Sequence, residues 1–331
     1  MIAHNTLQVQ HGWVLDHDEG DVLRRACQRL ERRACKAYDQ LPSVLRISDI
    51  ALLSNEPAGI GGFSDIFRAS NNGQLVALKR IRISSEETDQ RELRRIFRHE
   101  ALVWKNLAHK YVLPFLGITN DVFKPHWCMV LPWMERGNIN SVLDQGGHRH
   151  IHVRRFLYEV AQGLAYIHLR GIVHGDLRGA NILVDDNWHP QLADFGLASF
   201  ADPLTSRTST GRGSPRWMAP ELQNPDAFRL RFHRTRATDI YAFGCTCLEL
   251  YTRKIPFHDV RSNIAVTLKI INGERPPRPS SGLVAKLSDD MWTLIEACWH
   301  QSHQERPSAD EVVKLMTRNR RSKLQHGPRQ H

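Results

Sequence analysis

The residue types best suited to chemistry fall in three places along the 331-residue chain. The first is Gly59-Ile60-Gly61-Gly62-Phe63-Ser64-Asp65-Ile66, a glycine-rich turn between two strand-like stretches. Without Cβ atoms in the way, backbone N–H groups of such a turn can close on a polyphosphate. Taken alone it is equally a plain turn. No Lys-Ser/Thr pair ends it, as a Walker loop requires, and no helix follows it, as a dinucleotide fold requires. The second place is Val76-Ala77-Leu78-Lys79, which ends 20 residues after Gly59. Strand alternation puts Ala77 and Lys79 on one face, so the lysine shares that face with a small residue over which a flat base can lie. Lys79 would read as an ordinary strand-end lysine but for Glu100, a carboxylate 21 residues later on an apolar helix face, where it requires a cation. The third place is the polar run His174-Gly175-Asp176-Leu177-Arg178-Gly179-Ala180-Asn181-Ile182-Leu183-Val184. Asp194-Phe195-Gly196 begins 18 residues after Asp176, and Ala219-Pro220-Glu221 closes the stretch.

Periodicity predicts the elements that must position these groups. Leu23, Ala26, Leu30, Ala34 and Tyr38 recur at helical spacing over residues 20–39 among Arg24, Arg25, Arg29, Arg32 and Arg33, a basic amphipathic helix that ends before Pro42. From Ile47 to Lys79 short apolar stretches alternate with turns, which predicts a three-strand antiparallel unit with a hairpin at Asn72-Gly73. A helix follows from about Glu86 to Leu107, with Leu93, Ile96, Phe97, Val103, Trp104 and Leu107 in one stripe and Glu100 inside it. Strands are expected near 111–118 and 126–132, then a turn at Gly137-Asn138. The helix 153–168 is marked by Val153, Leu157, Val160, Leu164 and Ile167 and stops at Gly171. Helices at 237–252, 263–272, 288–299 and 308–317 complete a helix-rich second part. A strand-rich part followed by a helix-rich part implies two lobes with a ligand cleft between them.

Composition excludes several classes. With 41% hydrophobic and 24% charged residues the chain is neither collagen-like, coiled-coil nor wholly disordered. The longest strongly apolar run, Ile240 to Tyr251, is broken by Thr246 and Glu249 and is far shorter than the roughly 20 residues that span a bilayer. The first residues lack the basic flank and apolar core of a secretory signal, so an intracellular, cytoplasmic location is expected, with the nucleus left open. Six scattered cysteines without CxxC spacing fit reduced thiols, with Cys245 and Cys247 in a core. The net charge of +10 is uneven: −4 on residues 1–23, +5 on 24–36, +6 on 314–331 and about +3 on the remaining 37–313. No nucleic-acid-binding pattern accompanies it, so no nucleic acid is expected. The basic ends are solvated or regulatory tails that can meet a partner or a membrane surface.

In order and spacing the motifs resemble the eukaryotic protein kinase family over about residues 47–316. HGDLRGANILV, DIYAFGC with Asp239 and Gly244, and the Trp299 and Arg306-Pro307 ending are most similar to the tyrosine-kinase-like group of serine/threonine kinases, including domains abundant in mushroom-forming fungi. The resemblance implies an α+β, bilobal fold: a small antiparallel β lobe with one helix (47–134) and a larger, mainly α lobe (135–316), flanked by an extension (1–46) and a basic tail (317–331). It implies an ATP-dependent transfer of the γ-phosphoryl group to Ser/Thr hydroxyls of protein substrates, in intracellular signalling, with ATP and Mg²⁺ as cofactors. Lys79 would hold the α- and β-phosphates and be positioned by Glu100, and Asn181 and Asp194 would supply oxygen ligands to Mg²⁺. Asp176 would accept or orient the substrate hydroxyl, with Arg178 beside it. Gly59, Gly61, Gly62, Ser64 and Ile66 would cover the phosphates. Ala77 and Leu183 would sandwich the base, with Leu131 behind it and the backbone of Pro132 to Met134 as its hinge. Arg306 would pair with Glu221.

Departures from the family pattern keep alternatives open. Ser64 stands where a third glycine is usual, and Gly175 replaces the arginine that normally precedes the catalytic aspartate, removing an anchor for a loop phosphate. Arg178 points toward some tyrosine kinases and Ser214 toward serine/threonine kinases; the hydroxyl is taken as the better guide. A pseudokinase scaffold without turnover is the alternative function. A small-molecule kinase of the aminoglycoside type is opposed by the hydroxyl-rich, 28-residue segment 194–221. His99-Glu100 is no zinc motif because position 103 is Val, and His148, His150 and His152 read as a solvated loop.

Overall fold

The computed structural model describes residues 41–61, 64–82, 87–124, 126–146, 151–195, 199–200, 213–280 and 285–325, together with residue 30. The helix expected over 20–39 lies outside them except for Leu30, which is helical and exposed. Gly62, His148, His150, the hydroxyl-bearing segment from Thr205 to Thr210 and the chain beyond Gln325 also lie outside. The chain divides into two units, residues 1–46 and 47–331. In the first, Pro42 is followed by a 3₁₀ turn at Ser43–Leu45.

The second unit opens with β1 (Ile50–Leu52), β2 (Gly59–Ile60), β3 (Ser64–Asn71) and β4 (Gln74–Ile81), followed by α1 (Glu87–Trp104), β5 (Gly117–Thr119) and β6 (Cys128–Pro132). These strands make one antiparallel sheet in the order β1-β3-β4-β6-β5, with β2 also paired to β3. Asn72 and Gly73 both have positive φ (48° and 81°), as a two-residue type I′ hairpin requires, and Asn71 pairs with Gln74 across it. Alternation sends Phe67, Ala69, Val76, Leu78, Cys128 and Val130 to one face, where they form a core flanked by Ile47, Ile50, Leu52, Val122 and Phe123.

Two strand expectations are corrected. The first of the three expected strands is two pieces: the Leu53 N–H donates to the Arg68 carbonyl (3.1 Å) and the Ala58 N–H to the Ile66 carbonyl (2.8 Å). Residues 54–57 therefore bulge out of the pairing, and Pro57 has no N–H to contribute. The strand expected over 111–118 is confined to β5. Pro114 interrupts it, and the preceding residues bond with Leu192 instead, through Leu113 N to Leu192 O (2.9 Å) and Leu192 N to Tyr111 O (3.0 Å).

The larger lobe contains α2 (Ile139–Asp144), α3 (Val153–Leu169), β7 (Ile172–Val173), β8 (Ile182–Val184), β9 (Pro190–Leu192), β10 (Ser199–Phe200), α4 (Pro220–Gln223), α5 (Arg236–Thr252), α6 (Asn263–Ile271), α7 (Asp289–Cys298) and α8 (Ala309–Gln325). Helix α5 is buried on every side from Thr238 to Tyr251, the pattern of an interior helix, and it starts at a capping box formed by Thr235 and Thr238. Helix α3 packs on α5 and α8, and α7 packs on α5. His152 caps α3 by accepting from the Arg155 N–H (3.3 Å), a structural role for one of the three alternating histidines.

Glu221 and Arg306 meet in a buried two-pronged ion pair, with Nη1 to Oε1 at 2.7 Å and Nη2 to Oε2 at 2.8 Å, and the guanidinium also donates to the carbonyls of Ala237 and His300. Removing one member strands the other charge in the interior, so Glu221→Ala is expected to lower the unfolding free energy by about 3–5 kcal/mol, measured by denaturant titration. Cys128 and Cys245 are buried, and burial pushes both thiols up to about 12. Their alkylation at pH 8 should be at least ~10³-fold slower in the folded protein than after unfolding, as read by peptide mass spectrometry.

Candidate active site

The cleft side of the sheet is set by register. Gly59 faces Ile66, Ile66 faces Lys79, and Lys79 faces Met129; beside them Ala77 faces Leu131. Cross-strand partners share a face, so Gly59, Ile66, Ala77, Lys79 and Leu131 line one surface. The turn is braced by the Gly61 N–H donating to the Ser64 carbonyl (2.8 Å), and Arg82 donates to the Gly61 carbonyl while pairing with Asp65. Lys79 Nζ lies 2.6 Å from Glu100 Oε1 and 2.6 Å from Asp194 Oδ1, with side-chain exposures of 7%, 2% and 46% for the three residues. Burial opposes the lysine's charge, but the charges of Asp194 and Glu100 outweigh it and hold its pKa above the usual lysine value. It is an ammonium at neutral pH.

Below the sheet, His174 and Gly175 donate their N–H groups to the buried carboxylate of Asp239 (2.8 Å each), which His168 Nε2 also meets at 2.8 Å. Gly175 has φ of 83°, a left-handed conformation suited to glycine. The chain then presents Asp176, whose carbonyl and carboxylate accept from Asn181 Nδ2 at 2.8 and 3.1 Å. Asn181 is tied to the Asp194 segment, since the Ala193 N–H donates to its carbonyl (3.0 Å). The amide oxygen of Asn181 and the carboxylate of Asp194 are hard oxygen donors of the kind that a divalent cation such as Mg²⁺ would take.

Arg178 and Ser214, which pointed to different substrate hydroxyls, turn out to be partners. Arg178 Nη1 donates to Ser214 Oγ (2.7 Å), and the guanidinium lies 4.6 Å from the Trp217 ring. They act as one unit that anchors the segment before α4 beside Asp176.

The residues expected at the rear and hinge of a base site come from β6 and the turn after it. Leu131 is buried, Pro132 ends the strand, and the Met134 carbonyl accepts from the Gly137 N–H (3.0 Å). The Gly137 carbonyl accepts from the Val184 N–H (2.9 Å), which ties β8, with Leu183, to the turn after β6.

The family model for the protein kinase domain matches residues 53–316. The chain belongs to the protein kinase family. It is 29% identical over 305 residues to a probable serine/threonine-protein kinase of Dictyostelium discoideum, covering 90% of this chain and 31% of that protein. MAP3K epsilon protein kinase 1 of Arabidopsis thaliana is 30% identical over 283 residues, covering 84% and 19%. The serine/threonine/tyrosine-protein kinase HT1 of Arabidopsis thaliana is 27% identical over 260 residues, covering 77% and 63%. The chain thus spans a third or less of the length of the first two relatives. These relatives are consistent with the tyrosine-kinase-like group.

Within this kinase domain two features were not read from sequence. One is a chain of ring contacts joining the lobes: Trp104 meets Phe195 edge-on at 5.1 Å, and Phe195 lies tilted 5.1 Å from His174. Trp104 was legible only as a member of an apolar stripe. The other is Glu249 on α5, a buried carboxylate whose pKa burial pushes up. It accepts from the Gly179 N–H (2.9 Å), Asn140 Nδ2 (2.8 Å) and Trp217 Nε1 (3.0 Å). As a lone carboxylate in an apolar run it carried the same signal as Glu100, but its partners are neutral and have no charge to betray them. Glu249→Ala leaves three donors unmet and is expected to cost about 3 kcal/mol of stability in denaturant unfolding, with Glu249→Gln costing less.

Proposed function

We propose that the chain transfers the γ-phosphoryl group of ATP, with Mg²⁺, to Ser/Thr hydroxyls of protein substrates, using residues 47–316 as its catalytic domain. The observation that carries this is the buried Lys79 ammonium held at once by Glu100 and Asp194, one from the small lobe and one from the large. Both pairs together describe a closed, aligned cleft. The donor set of Asn181 and Asp194 fits Mg²⁺, which when bound neutralises charge on the triphosphate. Lys79 binds the α- and β-phosphates. Gly59, Gly61, Gly62, Ser64 and Ile66 cover them, Ala77, Leu131 and Leu183 enclose the base, and the backbone from Pro132 to Met134 meets its edge. Asp176 orients the acceptor hydroxyl and takes its proton, with Asn181 fixing the carboxylate. Arg178 and Ser214 support the acceptor segment next to it. Hydroxyl transfer and a role in signalling are supported by the names of the relatives, and a reducing, intracellular setting by the free, buried thiols of Cys128, Cys245, Cys247 and Cys298. The basic stretches 24–36 and 314–331 are offered to an anionic partner or surface.

A scaffold that binds nucleotide without turnover is the second reading. It is favoured by the Gly61 N–H, which is already bonded to the Ser64 carbonyl instead of being left to a phosphate. Purified protein with labelled ATP·Mg²⁺ and a generic protein acceptor separates the two. Turnover with phosphoserine and phosphothreonine as products is expected, and Lys79→Met and Asp176→Asn should each lower it by at least ~10²-fold. Equal signals from wild type and both variants would leave the scaffold. Replacing Thr205, Ser206, Thr208, Ser209 and Thr210 together with Ala should retain activity within about tenfold, ~1.4 kcal/mol of barrier, because Gly175 offers no cation for a loop phosphate.

A further inference from the structure

Arg234 is a charged side chain to which the reaction above assigns no task. It is only 3% exposed, stands two residues before α5, and has its guanidinium 5.3 Å from the Phe232 ring. Its Nε donates to the carbonyl of Gly175, 3.1 Å away and 59 residues earlier in the chain. That carbonyl belongs to the same planar peptide as the Asp176 N–H, which donates to His174 Nδ1 at 3.3 Å. Holding a peptide at both its oxygen and its hydrogen fixes its plane, and the plane fixes where the next Cα stands. The peptide before Asp176 is held in this way, and the two preceding N–H groups are held by Asp239. The positive φ of Gly175 turns its carbonyl toward Arg234, and the absence of a side chain there leaves that conformation unstrained. The charges of Asp176 and Asp239 both act on the guanidinium, partly offsetting the cost of its burial.

We propose that Arg234 is a positioning residue for Asp176: its buried guanidinium clamps the Gly175 carbonyl and so aims the carboxylate that follows. The cation reaches this peptide from just before the central helix. The proposal rests on the phosphotransfer reading for its effect on rate but not for its effect on the backbone, and the test uses both.

Arg234→Leu, which keeps an apolar stem and removes the donor, and Arg234→Lys, which keeps a cationic donor, are compared with the intact chain. Steady-state kinetics with ATP·Mg²⁺ and a protein acceptor are combined with amide hydrogen exchange by mass spectrometry on peptides covering 172–177 and 153–169. Arg234→Leu is expected to lower kcat about 20-fold, ~1.8 kcal/mol of barrier, with KM for ATP within about twofold. Exchange should quicken in 172–177 and not in 153–169, and Arg234→Lys should recover most of both effects. Wild-type kcat in Arg234→Leu would overturn the proposal. So would a general rise in exchange that Arg234→Lys does not reverse, the mark of a merely structural side chain. If the wild type itself shows no turnover, the phosphotransfer reading fails, while exchange confined to 172–177 in Arg234→Leu still supports the clamp and unchanged exchange there overturns it. Should Arg234→Leu not fold, Arg234→Gln, too short to reach the carbonyl, is read by the same measurements.

Discussion

A buried ammonium cannot be left alone. Lys79 sits in the interior of the cleft, and its charge is tolerable only because Glu100 and Asp194 reach it at 2.6 Å. Those partners lie 21 and 115 residues away, on a helix and on the loop after β9, so the sheet, α1 and the larger lobe must all come together for the charge to be met. The rest of the cleft follows from that meeting. Helix α1 docks by burying Phe97, Ala101 and Trp104, and Asp194 arrives with Phe195 packed between Trp104 and His174. Glu100 is almost wholly enclosed whereas Asp194 is half exposed, so one partner of the lysine is sealed and the other is open.

The larger lobe solves a related problem with the opposite sign of charge. Helix α5 carries two buried carboxylates, Asp239 and Glu249, that accept hydrogen bonds mainly from uncharged groups. Each is satisfied chiefly by N–H donors: Asp239 by two backbone amides and an imidazole, Glu249 by a backbone amide, a carboxamide and an indole. Such bonds cost flexibility and return precision, because the amides belong to the segment that carries Asp176, Arg178 and Asn181. A helix buried on every side from Thr238 to Tyr251 thereby holds the loop that carries those groups. Arg178, Ser214 and Trp217 extend the same hold to the chain before α4.

Much of this was legible in advance wherever a residue type announces its own requirement. Glu100 on an apolar face demanded a cation and Lys79 was the one in range; Asn72-Gly73 demanded a tight hairpin; Glu221 and Arg306 could be matched through the family resemblance. Legibility ended where the partner is a backbone group. Nothing in the letters around Pro57 says that residues 54–57 leave the sheet, and Arg178 and Ser214 read as opposing indicators because a hydrogen bond across 36 residues has no spacing of its own.

The amino-acid sequence by itself determined the two-part α+β plan through periodicity and the Lys79–Glu100 pair through charge, both properties of local residue order, and its motifs in sequence pointed to the family. The tertiary structure alone decided which buried side chain serves which peptide: Asp239 for His174 and Gly175, Glu249 for Gly179, Arg234 for the Gly175 carbonyl. Every residue but proline offers the same backbone N–H and every residue the same C=O, so a side chain's need for such a partner marks no position in the sequence, and only the packing of distant segments selects one.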